Sequence, residues 1–268
     1  MGIIGIDAGT STIKIIHFNN NTGEITNKQV LKKQPVLNAL ETFINNEKID
    51  INNVSKIVLT GVGTEEIQNN IYGIETVKVD EFQAIAKGGL CLSNLDKALV
   101  VSVGTGTAFV MAEKNSYKHL GGTGVGGGTL LGLLKKMVNI SSINEFNEII
   151  TKGNLDNVDL KIKDITTKEI PGLSMDTTSS NFGKLKKNAS KEDIILGVVN
   201  LIFETIGVMS ALALKNTDCK DVVVLGNLAT LPYIEEVLRK IEKLHNVKFI
   251  IPKEAPFGTV IGAIKTVN

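Results

Sequence analysis

Four short segments and one acidic pair carry residue types suited to handling a phosphoryl group. The run Asp7-Ala8-Gly9-Thr10-Ser11-Thr12-Ile13-Lys14 closes an apolar stretch with a carboxylate, a glycine, three hydroxyls and a lysine. Such a turn offers short side chains and backbone N–H groups to an anion. Asp7 shares the anion's sign, so its chemistry would be to hold Mg²⁺, directly or through water, while Lys14 neutralises phosphate charge. Alone, the segment reads equally as an ordinary hairpin whose turn Asp7 caps. Gly104-Thr105-Gly106-Thr107 also follows an apolar strand and leaves the same choice open. Two such turns facing each other would clamp one polyphosphate from both sides. Gly121-Gly122-Thr123-Gly124-Val125-Gly126-Gly127-Gly128-Thr129 runs straight into Leu130-Leu131. Glycine loops before helix N-termini make anion sites, because unpaired N–H groups and the helix dipole point outwards. The segment lacks G-x-x-x-x-G-K-[ST], so it is no P-loop, and a purely structural role is the alternative. Gly226-Asn227 ends a strand, where open α/β sheets bind ligands. Asp80-Glu81 starts a helix, as a cap with a favourable dipole interaction or with a general base at the mouth of a cleft.

The elements that must position these groups are legible from hydrophobic pattern. Ile3–Ile6 and Thr12–Phe18 read as strands joined by the Asp7–Ser11 turn, and a third strand follows the polar turn at 19–23. A helix is expected over 35–46, strands over 57–61 and 76–79, and a helix over 81–92. From Ala98 the pattern of strand, Gly/Thr turn and strand returns, which predicts two related lobes with a cleft between them. Helices are expected over 130–138 and 143–151, and residues 154–188 read as a polar excursion outside the core. A long helix near 191–215, a strand over 221–225, a helix over 231–244, a strand over 248–251 and a closing helix over 257–265 complete an alternating α/β chain.

Composition narrows the function. The 268 residues carry 29 Lys+Arg against 28 Asp+Glu, a net charge of +1, which gives no electrostatic reason to bind nucleic acid or an anionic membrane. Three Tyr and no Trp leave few platforms for stacking bases. Cys91 and Cys219 have neither C-x-x-C spacing nor a nearby His, so a zinc site or disulfide framework is not expected and a reducing compartment fits. The N-terminus has no basic region before an apolar one, as a signal peptide would. Ile194–Leu214 is long enough to span a bilayer, yet Asn200, Glu204, Thr205 and Ser210 interrupt it, with Asn200 and Glu204 on one helical face. A buried core helix is the expectation, in a cytoplasmic protein.

These residues carry a resemblance that covers nearly the whole chain. It resembles the type II pantothenate kinases, of the superfamily that includes acetate kinase, sugar kinases and actin. The matching motifs are Asp7–Lys14, Val79-Asp80-Glu81-Phe82, Val103–Thr107, the 121–129 loop, Ser180-Asn181-Phe182-Gly183 and Phe257-Gly258-Thr259-Val260-Ile261-Gly262-Ala263. The resemblance implies a two-lobed, actin-like α/β fold with duplicated ribonuclease-H-like lobes and an interlobe cleft. Residues 1–95 would form the lobe with the first phosphate loop and the catalytic glutamate. Residues 96–268 would form the lobe with the second phosphate loop, the glycine-rich loop and the adenosine-binding turn. It also implies transfer of the ATP γ-phosphoryl to the terminal hydroxyl of pantothenate, the first step to coenzyme A, with ATP and Mg²⁺ as cofactors and a homodimer as the working form. By position, Glu81 matches the catalytic base. Asp7, Ala8, Gly9, Thr10, Ser11, Thr12, Ile13, Lys14, Thr105, Gly127, Gly128, Thr129, Leu130, Leu131, Ile143, Gly226 and Asn227 match nucleotide contacts. Two departures stand out. The family turn reads Asp-x-Gly-Gly-Thr, so Thr10 brings a hydroxyl where relatives have glycine. His119 stands where relatives carry the arginine that contacts pantothenate, with Lys118 as the alternative cation. The competing reading is an ATPase activator of a 2-hydroxyacyl-CoA dehydratase, whose cluster-binding cysteines Cys91 and Cys219 do not match.

Overall fold

The computed structural model describes residues 1–268, the side chain of Asn144 excepted. The apolar run of β1 (Gly2–Ala8) is buried along its whole length, as a strand covered on both faces must be. It pairs antiparallel with β2 (Thr12–Asn19), and β2 with β3 (Glu24–Lys32). After α1 (Val36–Glu47), β4 (Val54–Thr60) returns parallel to β1, and β5 (Thr76–Lys78) lies parallel to β4. The first sheet therefore runs β3-β2-β1-β4-β5.

Past α2 (Glu81–Ser93) the same wiring repeats. β6 (Lys97–Val103) pairs antiparallel with β7 (Thr107–Glu113), and β7 with β8 (Ser116–Thr123). The chain then passes through α3 (Gly127–Val138), a ribbon of β9 (Leu160–Lys161) and β10 (Thr178–Ser180) with α4 (Ile162–Ile165) between them, and α5 (Lys191–Leu214). β11 (Asp221–Leu225) adds parallel to β6; after α6 (Ile234–His245), β12 (Lys248–Ile250) adds parallel to β11, and α7 (Gly258–Val267) ends the chain. The second sheet, β12-β11-β6-β7-β8, thus has the topology of the first. All strands of the first sheet precede residue 96 and all of the second follow it. The covering helices cross over: α2 packs chiefly on β6 and β7, whereas α7 packs on β1 and β4, and the two pack against each other.

Three details differ from the sequence expectation. Residues 143–151 form two 3₁₀ turns, Ile143–Glu145 and Ile150–Lys152, in place of one helix. Phe146 and Ile150 are both buried in the second lobe's core, and their spacing imitates a helical stripe. The excursion expected over 154–188 holds only for 162–188, which has no buried residue, whereas Leu155, Val158, Asp159 and Lys161 are buried. Asp159 accepts from Asn200 Nδ2 of α5 at 2.9 Å and from the Phe182 amide at 2.9 Å, while Asn181 Nδ2 donates to Glu204 at 2.8 Å. The Ser180–Gly183 motif is therefore a half-buried polar joint between the ribbon and α5, with burial raising the Asp159 and Glu204 carboxyls. Lastly, the glycine loop begins inside a strand, because Gly121–Thr123 finish β8. Among the described residues, α5 is the one helix long and apolar enough to cross a membrane, and 67% of its most apolar window is buried in the protein.

Candidate active site

The ends of β1, β6 and β11 and the starts of α2 and α3 line one cleft of about 620 Å³ between the two sheets. Its charged lining is Asp7, Lys14 and Glu81. Asp7 and Lys14 are cross-strand partners in the β1–β2 hairpin, so their side chains share a face. Lys14 Nζ donates to Asp7 Oδ2 at 3.0 Å, and both groups are largely buried, each as the other's compensation. At the hairpin tip, Thr10 Oγ1 and Ser11 Oγ lie 2.6 and 2.8 Å from Thr105 Oγ1, the tip of the β6–β7 turn. The two Gly/Thr turns thus meet across the cleft through hydroxyls, and the Thr10 that departs from the family's glycine makes the shorter link.

The glycine loop does something other than expected. The amides of Gly127 and Gly128, at the start of α3, donate to the carbonyls of Gly104 and Thr105 at 2.8 and 2.9 Å. Two N–H groups that would face an anion are thereby spent on docking α3 to the second turn. A Cβ at Gly126 would sit 2.7 Å from the Thr105 carbonyl oxygen and 2.8 Å from Gly106, so glycine is required for the approach. Thr129 turns away from the cleft: its hydroxyl donates to Gly124 O at 2.8 Å and accepts from the Gly126 amide at 3.3 Å. Leu130 is buried in the core, as are Ala8 and Ile13 of the first hairpin. Gly9, Thr12, Gly127, Gly128, Leu131, Ile143, Gly226 and Asn227 do line the cleft. Gly226 holds φ +103°, and a Cβ there would collide with the Val103 carbonyl. Asn227 Nδ2 donates to Thr12 Oγ1 at 3.3 Å, tying the turn after β11 to the first hairpin, while its Oδ1 is buried without a partner. Val62, Ile85, Leu228 and Thr259 also line the cleft. They were not among the expected site residues; for Val62 and Leu228 the signal was adjacency to strand-end glycines, for Thr259 it was the matching motif at 257–263, and for Ile85 there was none.

Glu81 is the first residue of α2, behind the N-cap Asp80, whose Oδ1 accepts from the Gln83 amide at 2.9 Å. Burial pushes the Glu81 carboxyl above its ordinary value; the nearby Asp7 and Asp80 charges add to this and Lys14 opposes it. A carboxylate of raised basicity that lines a cleft together with Asp7 and the largely buried Lys14 suits general-base chemistry. The exposed His119 ring stacks on Phe82, the residue after Glu81, at 3.8 Å between centroids and 13° between planes, and does not itself line the cleft. Strand alternation puts Lys118 on the opposite face of β8, against Met111 rather than α2. Among the described residues no cluster of three or more His, Cys, Asp or Glu could hold a metal by itself.

Solved structures with this architecture span unrelated activities. The activator of 2-hydroxyisocaproyl-CoA dehydratase from Clostridium difficile, solved with ADPNP, matches 98% of this chain and 92% of its own with a TM-score of 0.68 at 17% identity. A ROK family glucokinase from Streptomyces griseus, solved with glucose and AMPPNP, covers 99% of each chain with a TM-score of 0.62 at 11% identity. At those identities the likeness shows the fold, a two-lobed actin-like α/β architecture, and no more. Sequence comparison goes further. The type II pantothenate kinase of Staphylococcus saprophyticus is 30% identical over 84% of this chain and 84% of its own length, and that of Bacillus cereus 26% identical over 97% of each. The Fumble family model matches residues 93–236, from the end of α2 into α6, including the second turn and the glycine loop. With the expected glutamate, hairpin turns and glycine loop gathered in one cleft, the chain belongs to the type II pantothenate kinase family.

Proposed function

We propose that this chain transfers the γ-phosphoryl group of ATP to the terminal hydroxyl of pantothenate, the entry step of coenzyme A biosynthesis. The observation that carries the reading is the placement of Glu81 beside Asp7 and Lys14, below two hydroxyl-tipped turns. Phosphoryl transfer demands positioning and charge stabilisation more than covalent help. Thr10, Ser11 and Thr105 would exchange their mutual hydrogen bonds for bonds to phosphate oxygens. Lys14 would offset developing charge. Asn227 Oδ1, an unpartnered buried acceptor in the cleft, fits a donor on the nucleoside. Mg²⁺ takes one or two carboxylates together with phosphates and water, a set that Asp7 and the bound phosphates satisfy. Asp7 would hold the ion there, and the chemistry supplied would be charge neutralisation at the phosphates. Glu81 would orient the acceptor hydroxyl and take its proton. Residues 1–95 and 96–268 would act as the two jaws, with α2 and α7 as the crossing struts. The balanced charge supports a cytoplasmic enzyme without nucleic-acid or membrane partners, and the family resemblance supports a homodimer. ADP release that depends on added pantothenate tests the reaction, and turnover that ignores pantothenate would reassign the acceptor.

Nucleotide binding and acceptor binding are separately testable. ATP with Mg²⁺ should raise the melting temperature, the stabilisation approaching about 2.7 kcal/mol at a ligand concentration of about 100 Kd. No rise at saturation would remove the cleft as a nucleotide site. On the acceptor side, an imidazole offers at most two donors, whereas guanidinium offers a fork that grips a carboxylate or amide. The stack on Phe82 suits either planar group. His119→Arg should therefore lower the pantothenate KM roughly tenfold with kcat little changed, on the scale of one charge-assisted hydrogen bond. An unchanged KM would take residue 119 out of acceptor recognition.

A further inference from the structure

Glu81 acts from the least restrained part of a helix, its first turn, where backbone groups lack intrahelical partners. Burial and neighbouring charges perturb its carboxyl, with no hydrogen bond among the causes. What fixes its direction must come from the residues on either side of it. Both are held by β8. Tyr117 Oη donates to Asp80 Oδ1 at 3.0 Å, the same oxygen that caps the Gln83 amide. His119, two residues further along and on the same strand face, stacks on Phe82. The residue before the base and the residue after it are thus each tied to one edge strand, and that strand continues through Gly121–Thr123 into the glycine loop.

We propose that Tyr117 is a positioning residue for the phosphoryl transfer, holding Asp80 so that the first turn of α2 presents Glu81 to the acceptor hydroxyl. This rests on Glu81 being the base. Tyr117 is itself exposed and does not line the nucleotide cleft, so it acts through Asp80 rather than on ATP. The link also gives the edge strand a hand in the reaction: any shift of β8 relative to α2 changes the aim of Glu81.

Tyr117→Phe removes the hydroxyl and keeps the ring. It should lower kcat for phosphate transfer roughly tenfold, the effect of a modest misalignment, with the KM values for ATP and pantothenate unchanged. Asp80→Ala, which loses both the Tyr117 bond and the cap, should lose more, and Asp80→Asn, which can still accept both bonds, should retain more than Asp80→Ala. Because Asn removes a negative charge, the acid limb of kcat in Asp80→Asn should move to lower pH; Asp7 and Lys14, the other charges facing Glu81, are untouched. The decisive comparison is Tyr117→Phe in a Glu81→Gln background, where it should cause no additional loss. A raised pantothenate KM with kcat retained would make Tyr117 an acceptor contact and overturn the proposal. So would a further tenfold loss in the Glu81→Gln background, or a kcat unchanged by Tyr117→Phe in the wild type. If Glu81→Gln alone left turnover intact, the failure would lie with the base assignment and not with the β8 link.

Discussion

Glu81→Gln should lower pantothenate-dependent turnover roughly 10²–10⁴-fold, the range spanned by general-base catalysis. Glutamine keeps the size and the helix but cannot take a proton. Asp80 still caps α2 through the Gln83 amide, so the fold and the melting temperature should hold. ATP affinity should change little, because the groups proposed above to meet phosphate are Thr10, Ser11, Thr105 and Lys14. The wild-type pH profile should carry the same signature. A base works only when deprotonated, so kcat should fall as pH drops through the Glu81 pKa. Burial and the Asp7 and Asp80 charges raise that pKa above the ordinary 4.5, so the acid limb should lie above that value. A Glu81→Gln enzyme within a few fold of wild type would leave Glu81 as a helix-cap neighbour, and the proton would have to go elsewhere.

The sequence exposed the parts of the fold that depend on local pattern. β1, β2, β6 and β7 are apolar runs broken by Gly/Thr turns, and a run of that kind has few alternatives to a buried hairpin. The duplicated topology followed from seeing that pattern twice. The site was legible to the same depth, since Asp7, Lys14, Thr105, Gly127 and Glu81 come from strand ends and helix starts. The errors arose where a local pattern has two physical causes. Phe146 and Ile150 show helical spacing but serve two separate 3₁₀ turns. The glycines at 126–128 read as an anion nest, yet their first task is backbone contact with the second turn. Strand β8 was hidden because Ser116–Leu120 is polar and exposed on an edge, and Gly121 and Gly122 suppress strand propensity. That strand places Tyr117 against Asp80 and His119 against Phe82, the residues flanking Glu81, and no spacing in sequence announces a contact between residues 80 and 117. Least visible of all was the reason for the glycines in Phe257–Ala263, which is a contact between two helices far apart in the chain.

Gly262→Ala tests that contact. In α7, a Cβ at Gly262 would run into the Ala84 carbonyl and the Gly88 amide of α2, and would sit 2.8 Å from Gly88 Cα. A Cβ at Gly88 would in turn strike the Gly258 carbonyl. The helices cross with their backbones in touch, and the obstructing atoms are main chain, which no rotamer change can move aside. One methyl must therefore push α2 and α7 apart, with an overpacking cost of about 1–3 kcal/mol. The melting temperature should fall by roughly 2–4 °C per kcal/mol for a chain of this size. Separation here also tilts α2, whose first residue is Glu81, so kcat should drop even at temperatures where the protein stays folded. Gly132→Ala supplies the opposite sign. Gly132 is exposed in α3 with nothing within 4 Å of a built Cβ. Replacing a mid-helix glycine by alanine there should stabilise by about 0.5–1 kcal/mol. If both substitutions stabilised the protein alike, glycine's helix propensity would be the whole story, and α2 and α7 would not meet backbone to backbone. Loss at Gly262 with gain at Gly132 assigns the glycines of the last helix to the crossing that joins the two lobes behind Glu81.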